Sequence, residues 1–142
     1  MNAMEISRTG LDVEWRRLEV IAQNIANVNT TIDANGEPYR PLRLLSGPAG
    51  SFNSVLAERA NKTDLRGVSV YSIEAQNVVP RQVYEPAHPQ ADTEGYVSYP
   101  GFDHAAEMAL MVKTSRAYEA NIVAMNAARQ MYSKALDIGR RS

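Results

Sequence analysis

The sequence predicts an α+β fold, with long N- and C-terminal helices paired in coiled-coil fashion and a small β-rich insert between them. Three observations carry that expectation. Both ends of the 142-residue chain repeat apolar side chains at helical spacing. All seven prolines (Pro38, Pro41, Pro48, Pro80, Pro86, Pro89 and Pro100) fall between those ends, among short β-prone runs. The C-terminal helix carries two apolar rows instead of the single stripe that a surface helix needs. The expected division is 1–31 for the N-terminal helix, 32–102 for the insert and 103–142 for the C-terminal helix, the two helices forming one inner helical domain.

The first helix is expected over 3–28. Met4, Leu11, Leu18 and Ile25 recur every seven residues, and Trp15, Ile21, Ala22 and Val28 fill the flanking rows. Gly10 weakens a helix interior by about 1 kcal/mol relative to Ala. The apolar row also thins before Leu11, so residues 1–9 are expected to order only on contact with another surface. An Asn cluster closes the helix: Asn24, Asn27 and Asn29, then Thr30 and Thr31. Asn satisfies loose backbone groups at helix ends. It also fixes register when it hydrogen-bonds across a helix seam, which makes Asn24 and Asn27, on one face, candidates for amide hydrogen bonds across such a seam.

In the insert, turn residues sit at 33–36, 47–48 and 92–95. Strands are expected at 39–45, 67–73, 82–84 and 96–99. The turn at 92–95 closes a hairpin between the last two, with Pro86 and Pro89 making its first arm irregular. Residues 46–66 read as a long loop with one helical turn near 54–59. The insert is expected at one end of the helix pair.

The last helix is expected over 103–140, about 57 Å at ~1.5 Å per residue. A compact chain of this length is roughly 37 Å across, so the helix overshoots its own domain. Its first row is Met108, Met111, Ser115, Tyr118, Ile122, Met125, Arg129, Tyr132, Leu136 and Gly139. The second is Ala117, Ala120, Ala124, Ala127 and Met131, then Ala135 and Ile138 after a one-residue slip. Small side chains let helix axes approach closely, and Met adapts to irregular gaps. Arg129 occupies a seam position, where its stem covers apolar surface or its head meets a neighbour's carboxylate.

Composition narrows the function. The net charge is −1 and the pI about 6.1, so there is no basic footprint for nucleic acid. There is no cysteine, which removes disulfides, thiolate chemistry and Cys-ligated metals. No run reaches the ~18 apolar residues of a membrane span, and the charged first twenty residues contain no apolar core of a cleavable signal. His88 and His104 lack second ligands at a workable spacing. No cofactor, metal or enzymatic activity is expected. A hydrolase using His88 and Asp92 would need a defined pocket.

The residues from Tyr84 to Pro100 (YEPAHPQADTEGYVSYP) resemble the FlgC family of bacterial flagellar rod proteins, with Pro86, His88, Pro89, Gly95, Tyr96 and Val97 as the distinctive positions. Glu107-Met108 and Ser115-Arg116-Ala117-Tyr118-Glu119-Ala120-Asn121 extend the likeness. Asn24-Ile25-Ala26-Asn27-Val28-Asn29-Thr30 is similar to a motif shared by rod and hook proteins. The chain departs from the pattern at Asn77-Val78-Val79, before Pro80, and at Gly101-Phe102-Asp103, after Pro100.

The resemblance implies a structural subunit of the proximal rod, exported by the flagellar type III apparatus without a cleaved signal. It implies helical polymerisation through terminal helices that transmit torque and line a channel. The implied partners are further copies, other proximal and distal rod proteins, the rod-to-ring adaptor, and the inner-membrane ring with its export gate. On that reading the interface residues are Leu11, Leu18, Asn24, Ile25, Asn27, Met108, Tyr118, Asn121, Ile122, Met125, Arg129, Met131 and Leu136. The alternative is a cytoplasmic coiled-coil adaptor that forms a discrete dimer.

Overall fold

A computed structural model describes residues 2–32, 36–50 and 66–140. The order is α1 (Ala3–Ala26), β1 (Leu42–Pro48), β2 (Val68–Ala75), β3 (Arg81–Tyr84), β4 (Tyr96–Tyr99) and α2 (His104–Gly139). The architecture is α+β: two terminal helices with two small antiparallel strand pairs between them. The expected helical turn near 54–59 and most of the turn at 33–36 lie outside the described residues.

α1 starts earlier than the fraying expectation allowed. Asn2 Oδ1 accepts from Glu5 N at 2.9 Å, while Asn2 N donates to Glu5 Oε2 at 2.9 Å. This capping box satisfies two backbone donors that a helix start otherwise leaves open. Gly10 has a packing reason. A Cβ there would lie 2.6 Å from Asn121 Oδ1, so the missing side chain lets α2 come close. At its other end α1 stops at Asn27, whose N–H reaches Gln23 O and Asn24 O.

The β1–β2 pair lies along α1, not at the end of the helix pair as expected. Three polar contacts attach it. Thr9 Oγ1 accepts from Val68 N at 3.1 Å. Arg17 donates to Ser46 Oγ at 2.8 Å and to Leu44 O at 3.4 Å. Asn24 holds both backbone groups of Leu42. Between these contacts Val13, Val20 and Leu44 form a small buried cluster, flanked by Leu42. The attachment residues and Val13 and Val20 recur at three- and four-residue steps, one face of a helix.

β1 begins at Leu42 rather than at 39; the Tyr39 hydroxyl and the Leu42 N–H both donate to Asn24 Oδ1 of α1. Leu45 pairs with Ser72 and Ser46 with Val70, which leaves Tyr71 as a bulge. The bulge turns the Tyr71 ring over Gly47, where a Cβ would sit 2.7 Å from the hydroxyl. β3 and β4 pair as expected, with Val83 opposite Val97 and Tyr84 opposite Tyr96. Their loop carries Asp92, whose Oδ1 accepts from Glu94 N and Tyr96 N, both at 2.9 Å, and Gly95 at φ +84°. The two sequence departures meet in space: a Cβ on Gly101 would fall 1.7 Å from Val79 O.

Candidate assembly interface

α1 and α2 pack side by side and antiparallel. Asn24 meets Glu107, the Trp15 and Tyr118 rings stand 6.1 Å apart, and Gly10 faces Asn121. Asp103 caps α2, its Oδ1 accepting from Ala105 N at 2.9 Å. The α2 residues turned to α1 recur every seven positions: Glu107, Thr114, Asn121 and Ala128. Three of these are buried, and Asn121 lies over Gly10. An apolar pattern could not reveal this row, because its members are acidic, polar or small. The residues expected to form the first seam flank it. Met111, Ser115, Tyr118, Ile122 and Met125 are half-buried, while Met108 and Arg129 are exposed.

A buried polar cluster closes the base of the helix pair. Asn24 is wholly buried and uses every hydrogen-bonding position it has. Its Nδ2 donates to Leu42 O (2.9 Å) and Glu107 Oε2 (3.2 Å); its Oδ1 accepts from Leu42 N (2.8 Å) and the Tyr39 hydroxyl (3.0 Å). Glu107, 1% exposed, takes the Arg43 guanidinium on Oε1 as an ion pair without an aligned hydrogen bond. Burial, and then the Glu107 charge, push the Tyr39 phenol above its ordinary 10.0. The cluster ties α1, β1 and α2 at one point.

Within the chain Asn24, Asn27 and Asn121 already have partners. Asn24 has no hydrogen-bonding capacity left for a neighbouring subunit. Asn27 works as a helix-end residue: its Nδ2 donates to Gln23 O, and its Oδ1 accepts from Thr30. Asn121 donates to Ala117 O within its own helix, and its Oδ1 rests on Gly10.

The loop of the distinctive motif is built from local contacts. His88 Nδ1 accepts from Gln90 N at 3.1 Å, and Gln90 Oε1 accepts from Thr31 Oγ1, bringing the loop against the chain leaving α1. Val97, Gly95 and Pro100 are buried; Pro86, Pro89 and Tyr96 are exposed. Asp92 Oδ1 is committed to its turn, and no hydrogen bond joins the His88 and Asp92 side chains among the described residues. Among the described residues no group of three His, Cys, Asp or Glu side chains could hold a metal ion. No helix among them is long and apolar enough to cross a membrane.

The outward surface is where the helix pair is incomplete. α1 begins opposite Ala128, and from residue 129 to 140 every α2 residue is exposed. Met131, Tyr132 and Leu136 are 65%, 60% and 53% exposed. Tyr132 continues the seven-residue row Met111, Tyr118, Met125 beyond the end of α1. Of the Ala-rich row, Ala120, Ala124 and Ala127 are exposed and Ala117 is half-buried. Leu11, Leu18 and Ile25 of α1 are half-buried, and Trp15 is 56% exposed.

Two family models match, one on each helical end. "Flagella basal body rod protein" covers residues 4–31, and "Flagellar basal body rod FlgEFG protein C-terminal" covers 93–138. The likeness to whole proteins spans the insert as well. The chain is 36% identical to the flagellar basal-body rod protein FlgC of Bacillus subtilis, covering 98% of this chain and 97% of that one. It belongs to the FlgC family. The FlgC of Borreliella burgdorferi is 34% identical, with 96% and 95% covered, and that of Salmonella typhimurium 31%, with 99% and 98%. FlgC proteins are structural components of the rod and not enzymes.

Proposed function

We propose that this chain is a subunit of the proximal rod that polymerises helically through α1 and α2. The observation supporting this is the bare α2 tip, which runs about 16 Å past α1 at ~1.5 Å per residue with Met131, Tyr132 and Leu136 in water. Repeated non-closing contacts between identical subunits generate a helical tube rather than a ring. A wall of paired helices stiffens such a tube for torque and encloses a channel, while the β-rich insert faces other components. Further copies, neighbouring rod proteins, the rod-to-ring adaptor and the inner-membrane ring with its export gate are its partners. The chain reaches them through the flagellar export apparatus with no segment removed. Leu11, Leu18, Ile25, Met108, Tyr118, Ile122, Met125, Arg129, Met131 and Leu136 lie on the helical surfaces that neighbours cover. The inner helical domain is 1–31 with 103–142, and the insert is 32–102.

Leu136→Asp tests the reading, because its side chain is exposed and the isolated fold does not depend on it. Cells carrying it stop swimming and lose rods while the variant is still exported. Normal swimming with intact rods would contradict the reading. A cytoplasmic adaptor would instead be retained in the cytoplasm as a dimer.

A further inference from the structure

α1 and α2 leave a groove of about 380 Å³ on one flank, lined by Leu11, Asp12, Trp15, Arg16, Glu19 and Tyr118. Its floor is apolar and aromatic: Trp15 and Tyr118 tilt at 49° with centroids 6.1 Å apart. Trp15 keeps over half its surface in water, which is costly for so large an apolar side chain. Its rim is acidic on balance. Arg16 is tied to Glu19 at 2.9 Å, while Asp12 is in no salt bridge among the described residues.

The α2 tip has the complementary character. Over 129–140 it carries Arg129, Lys134 and Arg140 against one carboxylate, Asp137. Met131, Tyr132 and Leu136 give it apolar side chains of a size the groove admits. Within one chain the two cannot meet. Trp15 sits beside Tyr118, and Leu136 lies about 27 Å further along the same helix as Tyr118 at ~1.5 Å per residue.

We infer that the α2 tip of one copy docks into the Trp15–Tyr118 groove of the next. This rests on the polymerising reading above and specifies it. The contact is head-to-tail: each copy offers one tip and one groove, so joining two leaves one of each free. Aromatic anchors in a groove with a charged rim are the kind of surface that carries binding energy and register together.

Disulfide trapping tests it, since the chain has no cysteine of its own. The full-length protein is expressed in flagellated cells lacking their own copy, and basal bodies are isolated and oxidised. Trp15→Cys with Leu136→Cys is the first pair; Asp12→Cys with Met131→Cys is a second that keeps Trp15. The expected result is a ladder of cross-linked species of three copies and more from at least one pair. Val123→Cys with Leu136→Cys, which uses an exposed position away from the groove, gives none.

A product that stops at two copies overturns the head-to-tail contact in favour of a closed pair. A cross-link to a different basal-body protein, or equal cross-linking from Val123→Cys, places the tip elsewhere and also overturns it. So does the absence of product from both pairs in basal bodies that contain the chain. Failure of the rod reading is seen separately: the unsubstituted chain would then be missing from basal bodies before any oxidant is added.

Discussion

Asn24 makes four hydrogen bonds with no solvent contact, two to Leu42 and one each to Glu107 and Tyr39. Asn24→Ala strands the Leu42 N–H and C=O, and each unsatisfied buried group costs about 1–3 kcal/mol. The expected loss is about 3–5 kcal/mol, a fall in Tm on the order of 10 °C, read by thermal or urea unfolding. Tyr39 adds a pH signature. Its phenol is held above 10.0 by burial and by Glu107, so the unfolded chain releases that proton first as pH rises. Stability is therefore intact below pH 10 and declines as pH climbs from there through the folded-state value. Tyr39→Phe flattens that part of the profile, measured by urea midpoints from pH 8 upward. The sequence marked Asn24 for a polar contact across a seam, but spacing alone does not say whether the partner belongs to the same chain. In the sequence Glu107 figures beside Met108, as part of the family likeness. Nothing in the sequence shows that folding carries Arg43 onto it.

At the scale of elements, both helices were legible because their periodicity is long and regular, and the β3–β4 pair because turn residues bracket two short β-prone runs. The face that pairs α2 with α1 was not. Glu107, Thr114, Asn121 and Ala128 give no hydrophobic signal, and the apolar rows beside them drew the attention. The sheet against α1 was missed for a related reason. The attached side of α1 mixes polar Thr9, Arg17 and Asn24 with Val13 and Val20, so no continuous apolar row marks it. The Val79–Gly101 approach was equally hidden: two separated departures from a family pattern are one steric adjustment, visible only once the chain is folded. Arg17 provides the test at this scale. Arg17→Met keeps the aliphatic stem over the sheet but removes the bonds to Leu44 O and Ser46 Oγ. The expected cost is about 1 kcal/mol, given the partial exposure of the guanidinium. Hydrogen exchange should quicken at β1 and leave the centre of α2 unchanged.

For the whole molecule, α2 is longer than anything among the described residues covers. Burying a large apolar side chain contributes roughly 1.5–3 kcal/mol. In the helical assembly proposed above, covering Met131, Tyr132 and Leu136 would contribute several kcal/mol that the isolated chain does not gain. A subunit of that kind would stay single until it meets the growing rod and then hold firmly. The polar cluster at the opposite end fixes the sheet to the helix pair. Amide hydrogen exchange over residues 129–139 tests this account most directly, comparing the isolated chain with the same chain in purified basal bodies. The account predicts fast exchange in isolation and strong protection after assembly, with residues 107–128 protected in both. Equal exchange at the tip in the two states would contradict it.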